Sequence, residues 1–221
     1  MIPTLMLWLF RKYCISRTGR LVKKKKTVKK AMFFVICCLG ASNLFASPNT
    51  FQISFKGKPI GKMVFTENRD GEKLFLKFHT QVETRFVFNL QVRSEDQSYF
   101  KDGRLQLSKI ERQINNNKKD TKITRFISPT QYEVSYREEK SQLDHAITYN
   151  LMLLYVSEPI DEKWVYADNF QCLLEIKKLS NSRYQVNLPD GNYNIYTFKE
   201  GRCVEVEHHQ TFYTIHMKLM S

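Results

Sequence analysis

The amino-acid sequence reads as an all-β chain, an antiparallel meander of about ten or eleven strands curled into a barrel or half-barrel. Three observations point there. Towards the end of the chain apolar side chains recur at every second residue: Tyr184, Val186 and Leu188, then Val204 and Val206, then Tyr213, Ile215, Met217 and Leu219. That is the period of strands with one buried face. Turn residues, among them Pro189-Asp190-Gly191 and Glu200-Gly201, fall between these runs where hairpins need them. The same pattern fills most of the chain, and so many strands exceed what a strongly twisted open sheet carries without curling.

Taken in order, Phe51, Ile53 and Phe55 alternate with polar residues and mark a first strand. Lys56-Gly57-Lys58-Pro59 turns it, 60–66 returns, and Arg69-Asp70-Gly71 makes the next turn, its Asp-Gly pair tolerating the positive φ of tight hairpins. Leu74, Leu76 and Phe78 mark a strand, as do Phe86, Phe88, Leu90 and Val92. Lys101-Asp102-Gly103 leads into 105–114; a polar loop over 115–120 joins it to 123–127, and after Ser128-Pro129-Thr130 come Tyr132, Val134 and Tyr136. From 147 to 159 the apolar residues are nearly continuous, which fits either a short helical plug near 149–156 or a strand buried on both faces. Trp164, Val165 and Tyr166 begin the closing meander. With no Pro/Ser/Gly-rich linker and no internal repeat, 47–221 reads as one domain.

Residues 1–46 are a different kind of sequence. They hold ten Lys or Arg and no acid, leaving 25 basic against 22 acidic residues beyond them, a net charge of +3 against +13 for the whole chain. A domain so nearly neutral has no electrostatic case for nucleic acid. The Lys-rich stretch 23–30, the apolar run 31–45 and the small residue Ala46 have the layout of a signal peptide cleaved after Ala46, preceded by an over-long start. The apolar run is shorter than the roughly 20 residues a spanning helix needs, and the alternative is an uncleaved anchor. The expected location is therefore the periplasm or the exterior.

Of five cysteines, Cys172 and Cys203 lie beyond the leader. If the strands meander in order, the two sit three strands apart, about 14 Å at roughly 4.8 Å per step. Bridged Cα atoms lie within about 7 Å, so a disulfide requires closure of the sheet.

Few residues form a chemical constellation. On a regular strand Cys203, Glu205, Glu207 and His209 share a face opposite Val204, Val206 and His208. Two carboxylates and an imidazole, with His216 from the next strand, have the donor types of a zinc site, although ligands along one strand are spaced widely for a single ion. The plainer reading is a solvated polar face. Asp144-His145 point to opposite faces, His79 faces outward on an amphipathic strand, and the chain has no Gly-x-Ser-x-Gly elbow, Gly-rich phosphate loop or Cys-x-x-Cys motif. No cofactor and no catalytic residue is expected.

Gly57-Lys58-Pro59-Ile60-Gly61, Leu154-Tyr155 with Glu158-Pro159, and Leu188-Pro189-Asp190-Gly191 followed by Asn194, Tyr196, Gly201 and Val204-Glu205-Val206 resemble a family of bacterial exported proteins of unknown function, over nearly all of 50–219. That family is distantly similar to the periplasmic lipoprotein carriers, whose curled antiparallel sheet shelters an apolar ligand on its concave face. The resemblance implies fold and compartment and supplies no catalytic residue.

The leading expectation is a non-catalytic exported protein that binds an apolar or amphipathic, lipid-like envelope component inside the sheet. Phe86, Phe88, Leu90, Tyr132, Val134, Tyr136 and Leu154 would line the cleft, and Tyr193 and Asn194 would orient a head group at its rim. The alternatives are a structural or protein-interaction component of the envelope with a filled core and an exposed strand edge, and a metal-dependent hydrolase around Glu205, Glu207 and His209.

Overall fold

A computed structural model describes residues 49–84, 90–117 and 119–220. The leader over 1–46, Phe86 and Phe88 lie outside the described residues. The described chain forms one antiparallel sheet of 14 strands. The first half comprises β1 (Asn49–Phe55), β2 (Lys58–Asp70), β3 (Lys73–Thr84), β4 (Leu90–Lys101), β5 (Arg104–Ile114), β6 (Asp120–Ser128), β7 (Gln131–Tyr136) and β8 (Glu139–Leu143). The second comprises β9 (Trp164–Ala167), β10 (Cys172–Ser180), β11 (Arg183–Asn187), β12 (Tyr193–Lys199), β13 (Arg202–Gln210) and β14 (Tyr213–Leu219). The count exceeds ten or eleven partly because β8 (Glu-Lys-Ser-Gln-Leu) carries no alternating apolar residues to announce it.

The order is β8-β7-β6-β5-β4-β3-β2-β1-β14-β13-β12-β11-β10-β9. The first and last strands pair at the middle, Ile53 opposite Met217, and the curled sheet stays open at the β8–β9 seam. Hairpins sit where the turn residues place them: Asp102 and Gly103 both take positive φ (53° and 68°), as do Glu200 and Gly201 (53° and 76°). Register shifts in β1–β2, β4–β5, β6–β7, β10–β11 and β12–β13 supply the bends that coil a long sheet.

The apolar segment after β8 fills the concave side. Leu105 of β5 donates its N–H to the Ile147 carbonyl (2.9 Å), and Tyr166 of β9 to the Tyr149 carbonyl (2.9 Å). The segment then tightens into one 3-10 turn, Leu153–Tyr155. Both sequence alternatives hold something of this geometry, since an extended stretch precedes the turn and Asn150 forms a parallel bridge to Tyr166. The Tyr155 ring meets Phe51, Phe78 and Tyr196 edge-on at centroid distances of 5.4, 4.8 and 6.0 Å. It thereby ties β1, β3 and β12 together from inside, a geometry aromatic pairs prefer.

Candidate functional site

Polar residues enter the concave face through β4, β5 and β6. Between Val92 and Tyr99, β4 reads Arg-Ser-Glu-Asp-Gln-Ser, with no apolar residue for either face. Polar residues must therefore point inward whichever way the strand is set, and those that do are Ser94, Asp96 and Ser98. They face Ser108, Ile110 and Arg112 of β5, with Arg112 opposite Ser94 and Ile110 opposite Asp96. Lys122 and Thr124 of β6 continue the patch. This run of inward polar residues was legible in β4 and was missed because apolar alternation was the signal followed.

Two cavities open on this patch. The larger, about 420 Å³, has apolar walls that include Phe78, Leu151, Tyr155 and Met217, and polar ones that include Asp96, Arg112, Asp168, Asn194 and His208. The second, about 340 Å³, is lined by Asn117, Asp120, Lys122 and Tyr136, and shares Ile110, Arg112, Ile114 and Asn169 with the first. Arg112 thus stands where the two meet.

The polar groups below the larger cavity form a network. Asn150 is fully buried. Its Nδ2 donates to Ser98 Oγ (2.8 Å) and Asp168 Oδ1 (3.0 Å), and its Oδ1 accepts from the Leu153 N–H (3.1 Å). Ser108 Oγ also donates to Asp168 Oδ1, while Asp168 Oδ2 is buried without a partner. Burial pushes the Asp168 carboxyl up to about 6, against the pull of these two hydrogen bonds. Burial likewise raises Asp96, which accepts from Ser94 Oγ (2.5 Å) and feels the Arg112 charge. His208 Nδ1 lies 2.9 Å from Asn194 Oδ1 and its Nε2 3.0 Å from Met217 Sδ, and burial holds the imidazole down at about 4, so it is neutral at pH 7.

The residues expected to line a cleft are dispersed. Tyr132 and Leu154 are fully buried and Val134 nearly so, within the packed core. The Tyr132 hydroxyl donates to the Leu105 carbonyl (3.0 Å), and its ring meets Phe126 edge-on. Tyr136 lines the 340 Å³ cavity. Leu90 lines a separate apolar recess of about 100 Å³ with Phe55, Ile60 and Tyr213. Of the rim pair, Asn194 lines the large cavity and Tyr193, one residue earlier, stacks on His209 on the opposite face (centroids 4.5 Å apart).

The face expected to join Cys203 with Glu205, Glu207 and His209 is corrected by a bulge. Cys203 pairs with Phe198 but Glu205 pairs with the adjacent Thr197, so Val204 is an extra residue. Cys203 turns inward with Val206 and His208, and is 1% exposed. The remaining outer residues divide into separate pairs: Glu205 bonds His216 and Lys218 (both 3.3 Å), and Glu207 bonds Arg183 (3.0 Å) and His209 (3.1 Å). Among the described residues no group of three or more His, Cys, Asp or Glu is placed to hold a metal ion. Cys172 and Cys203 are unbridged, on β10 and β13, three strands apart in the sheet. No helix of the described residues is long and apolar enough to cross a membrane.

Fold and site together define a β-barrel-like protein whose open, curled sheet is plugged by its own chain and retains a mixed polar and apolar cavity. The chain belongs to the family described as Domain of unknown function (DUF6134), whose model matches residues 51–220. Among solved structures it is similar in fold to a beta-barrel-like protein of domain of unknown function DUF1849 from Brucella abortus. The two share 9% identity with a TM-score of 0.53, over 79% of this chain and 96% of the other. No curated protein matches.

Proposed function

We propose that the protein is a non-catalytic, exported binding protein that shelters an amphipathic, lipid-like envelope component inside the curled sheet. The observation that carries this is the 420 Å³ cavity on the concave face, whose lining combines the apolar Phe78, Leu151, Tyr155 and Met217 with the polar Asp96, Arg112 and Asn194. Cavities of roughly 300–1,000 Å³ with mostly apolar walls and a few placed polar groups are the usual form of a small-molecule site. The signal-peptide layout of 1–46 and the resemblance to an exported family that is itself distantly similar to the periplasmic lipoprotein carriers support the same reading. Two of the titratable groups in the lining are tied to the protein, Asp96 to Ser94 and His208 to Asn194, which favours holding a ligand over moving protons through them.

The sheet edges favour a ligand over a partner strand. β8 is short, polar and largely exposed, with Glu139 and Lys140 on it, and β9 has four residues of which three are buried. Short charged edges resist strand addition.

The test is one-to-one binding of an apolar fluorescent probe by the purified protein. Leu151→Trp fills the cavity and should abolish binding while circular dichroism and melting temperature stay near those of the parent. Failure of the parent to bind such a probe would sink the reading.

A further inference from the structure

Arg112 is the feature of the site that the protein leaves unanswered. It projects from the inner side of β5, half-buried, at the junction of the two cavities. Among the described residues no carboxylate lies within ion-pair distance of it. Asp120, opposite it on β6, is paired with Arg137 at 3.5 Å, and Asp96 accepts from Ser94. A second cation stands close by. Lys122 faces Ile110 across β5–β6, which makes it the diagonal neighbour of Arg112, within reach of long side chains. Lys122 donates to the Asn169 carbonyl and lies 4.9 Å from the Tyr136 ring centroid. Its ammonium is held below its ordinary range, first by burial and then by the Arg112 charge.

Two cations converge on one cavity wall whose single carboxylate among the described residues, Asp120, is engaged by Arg137, so cations outnumber the acid there. A half-buried guanidinium carries five N–H donors in a planar fork, and here none of them is committed to a carboxylate of the described residues. The fork matches the two oxygens of a carboxylate or phosphate. On the far side of Arg112, the larger cavity supplies the apolar walls of Phe78, Leu151, Tyr155 and Met217. We propose that the ligand is an amphipath with an anionic head group, a carboxylate or phosphate held by Arg112 with Lys122 beside it, and an apolar portion in the larger cavity. The anion sits on the Lys122 side, away from the carboxylates of Asp96 and Asp168; among the described residues the one carboxylate on that side, Asp120, is paired with Arg137. This rests on the ligand-binding reading above and specifies the chemistry of its ligand.

The experiment compares four probes of one chain length, dodecyl phosphate, laurate, dodecanol and dodecylammonium, with inorganic phosphate as a fifth, by calorimetry on the purified protein. The two alkyl anions should bind about tenfold or more tighter than dodecanol and dodecylammonium, the factor expected of a charge-assisted hydrogen bond. Arg112→Gln should remove most of the preference for the two anions over dodecanol. Lys122→Gln should weaken the anions by a smaller factor. Inorganic phosphate should bind far more weakly than dodecyl phosphate; equal binding would assign the site to a free anion and overturn the head-group assignment. Equal affinity for all four alkyl probes would mean that Arg112 does not select the head group, overturning the inference while leaving the cavity reading intact. Absence of binding by every alkyl probe would take down the cavity reading itself. The ranking on the unsubstituted protein decides the matter even if a variant fails to fold.

Discussion

Asn150 Nδ2 donates to Asp168 Oδ1 over 3.0 Å, and this bond fastens the plug to the end of β9 inside the sheet. The same amide holds Ser98 of β4 and caps the Leu153 N–H, so one side chain joins three parts of the interior. Asn150→Ala would strand these buried groups at about 1–3 kcal/mol each, discounted because they share one network. The expected loss is roughly 3–5 kcal/mol, read from chemical denaturation. A loss below about 1 kcal/mol would mean that the network does not hold the plug.

Asp168 gives stability a distinctive pH dependence. Its folded pKa of about 6 exceeds the ordinary 3.8. The folded state therefore binds the proton more tightly, and stability falls as pH rises from about 4 to about 6, with the penalty fully present above that. Asp96, the charged neighbour that pushes Asp168 in the same direction, remains in the variant. Asp168→Asn should gain on the parent by about 2–3 kcal/mol between pH 4 and pH 7. A parent–variant difference that is flat with pH would contradict the burial of an ionised Asp168.

Cys203 should be inert. Burial pushes its thiol up to about 12, and its Sγ–H reaches the Glu205 carbonyl at 3.6 Å. Thiolates are the reactive species, so an alkylating agent at pH 8 should leave Cys203 intact until the protein unfolds. Half-buried Cys172, also raised by burial, should react slowly. Mild oxidation should leave both thiols free by intact mass.

Gly61 explains one glycine of the sequence motif physically. A Cβ there would lie 2.2 Å from the Gln81 carbonyl oxygen and 2.8 Å from the Val82 Cα. The strands cannot hold their pairing around it, since both obstacles are backbone. Gly61→Ala should cost about 1–3 kcal/mol by denaturant titration, whereas Ala at an exposed strand position such as Lys62 should be near neutral.

Much of this fold was legible because turn chemistry and alternation are local. Asp102-Gly103 announces its hairpin, and Leu74, Leu76 and Phe78 announce their face, all three being buried while Lys73, Phe75, Lys77 and His79 between them are exposed. The pairing of β1 with β14 depends on closure across the whole chain, and no local pattern encodes it. The site was less legible. One extra residue, Val204, moves Cys203 to the other face of β13, and a bulge leaves no mark in the period of so short a run. Tyr132, Val134 and Leu154 look the same in sequence whether they fill a core or line a space, because apolarity does not distinguish packing from vacancy. The informative residues were Ser94, Asp96 and Arg112, polar positions whose inward direction follows from strand alternation.

The central claim is that the cavity holds an amphipathic ligand, and native mass spectrometry of the protein purified from its source tests it most directly. The account predicts a stoichiometric adduct that organic solvent removes and that leaves the bare chain behind. A protein at its calculated mass before extraction, unable to bind an added apolar probe, would contradict it.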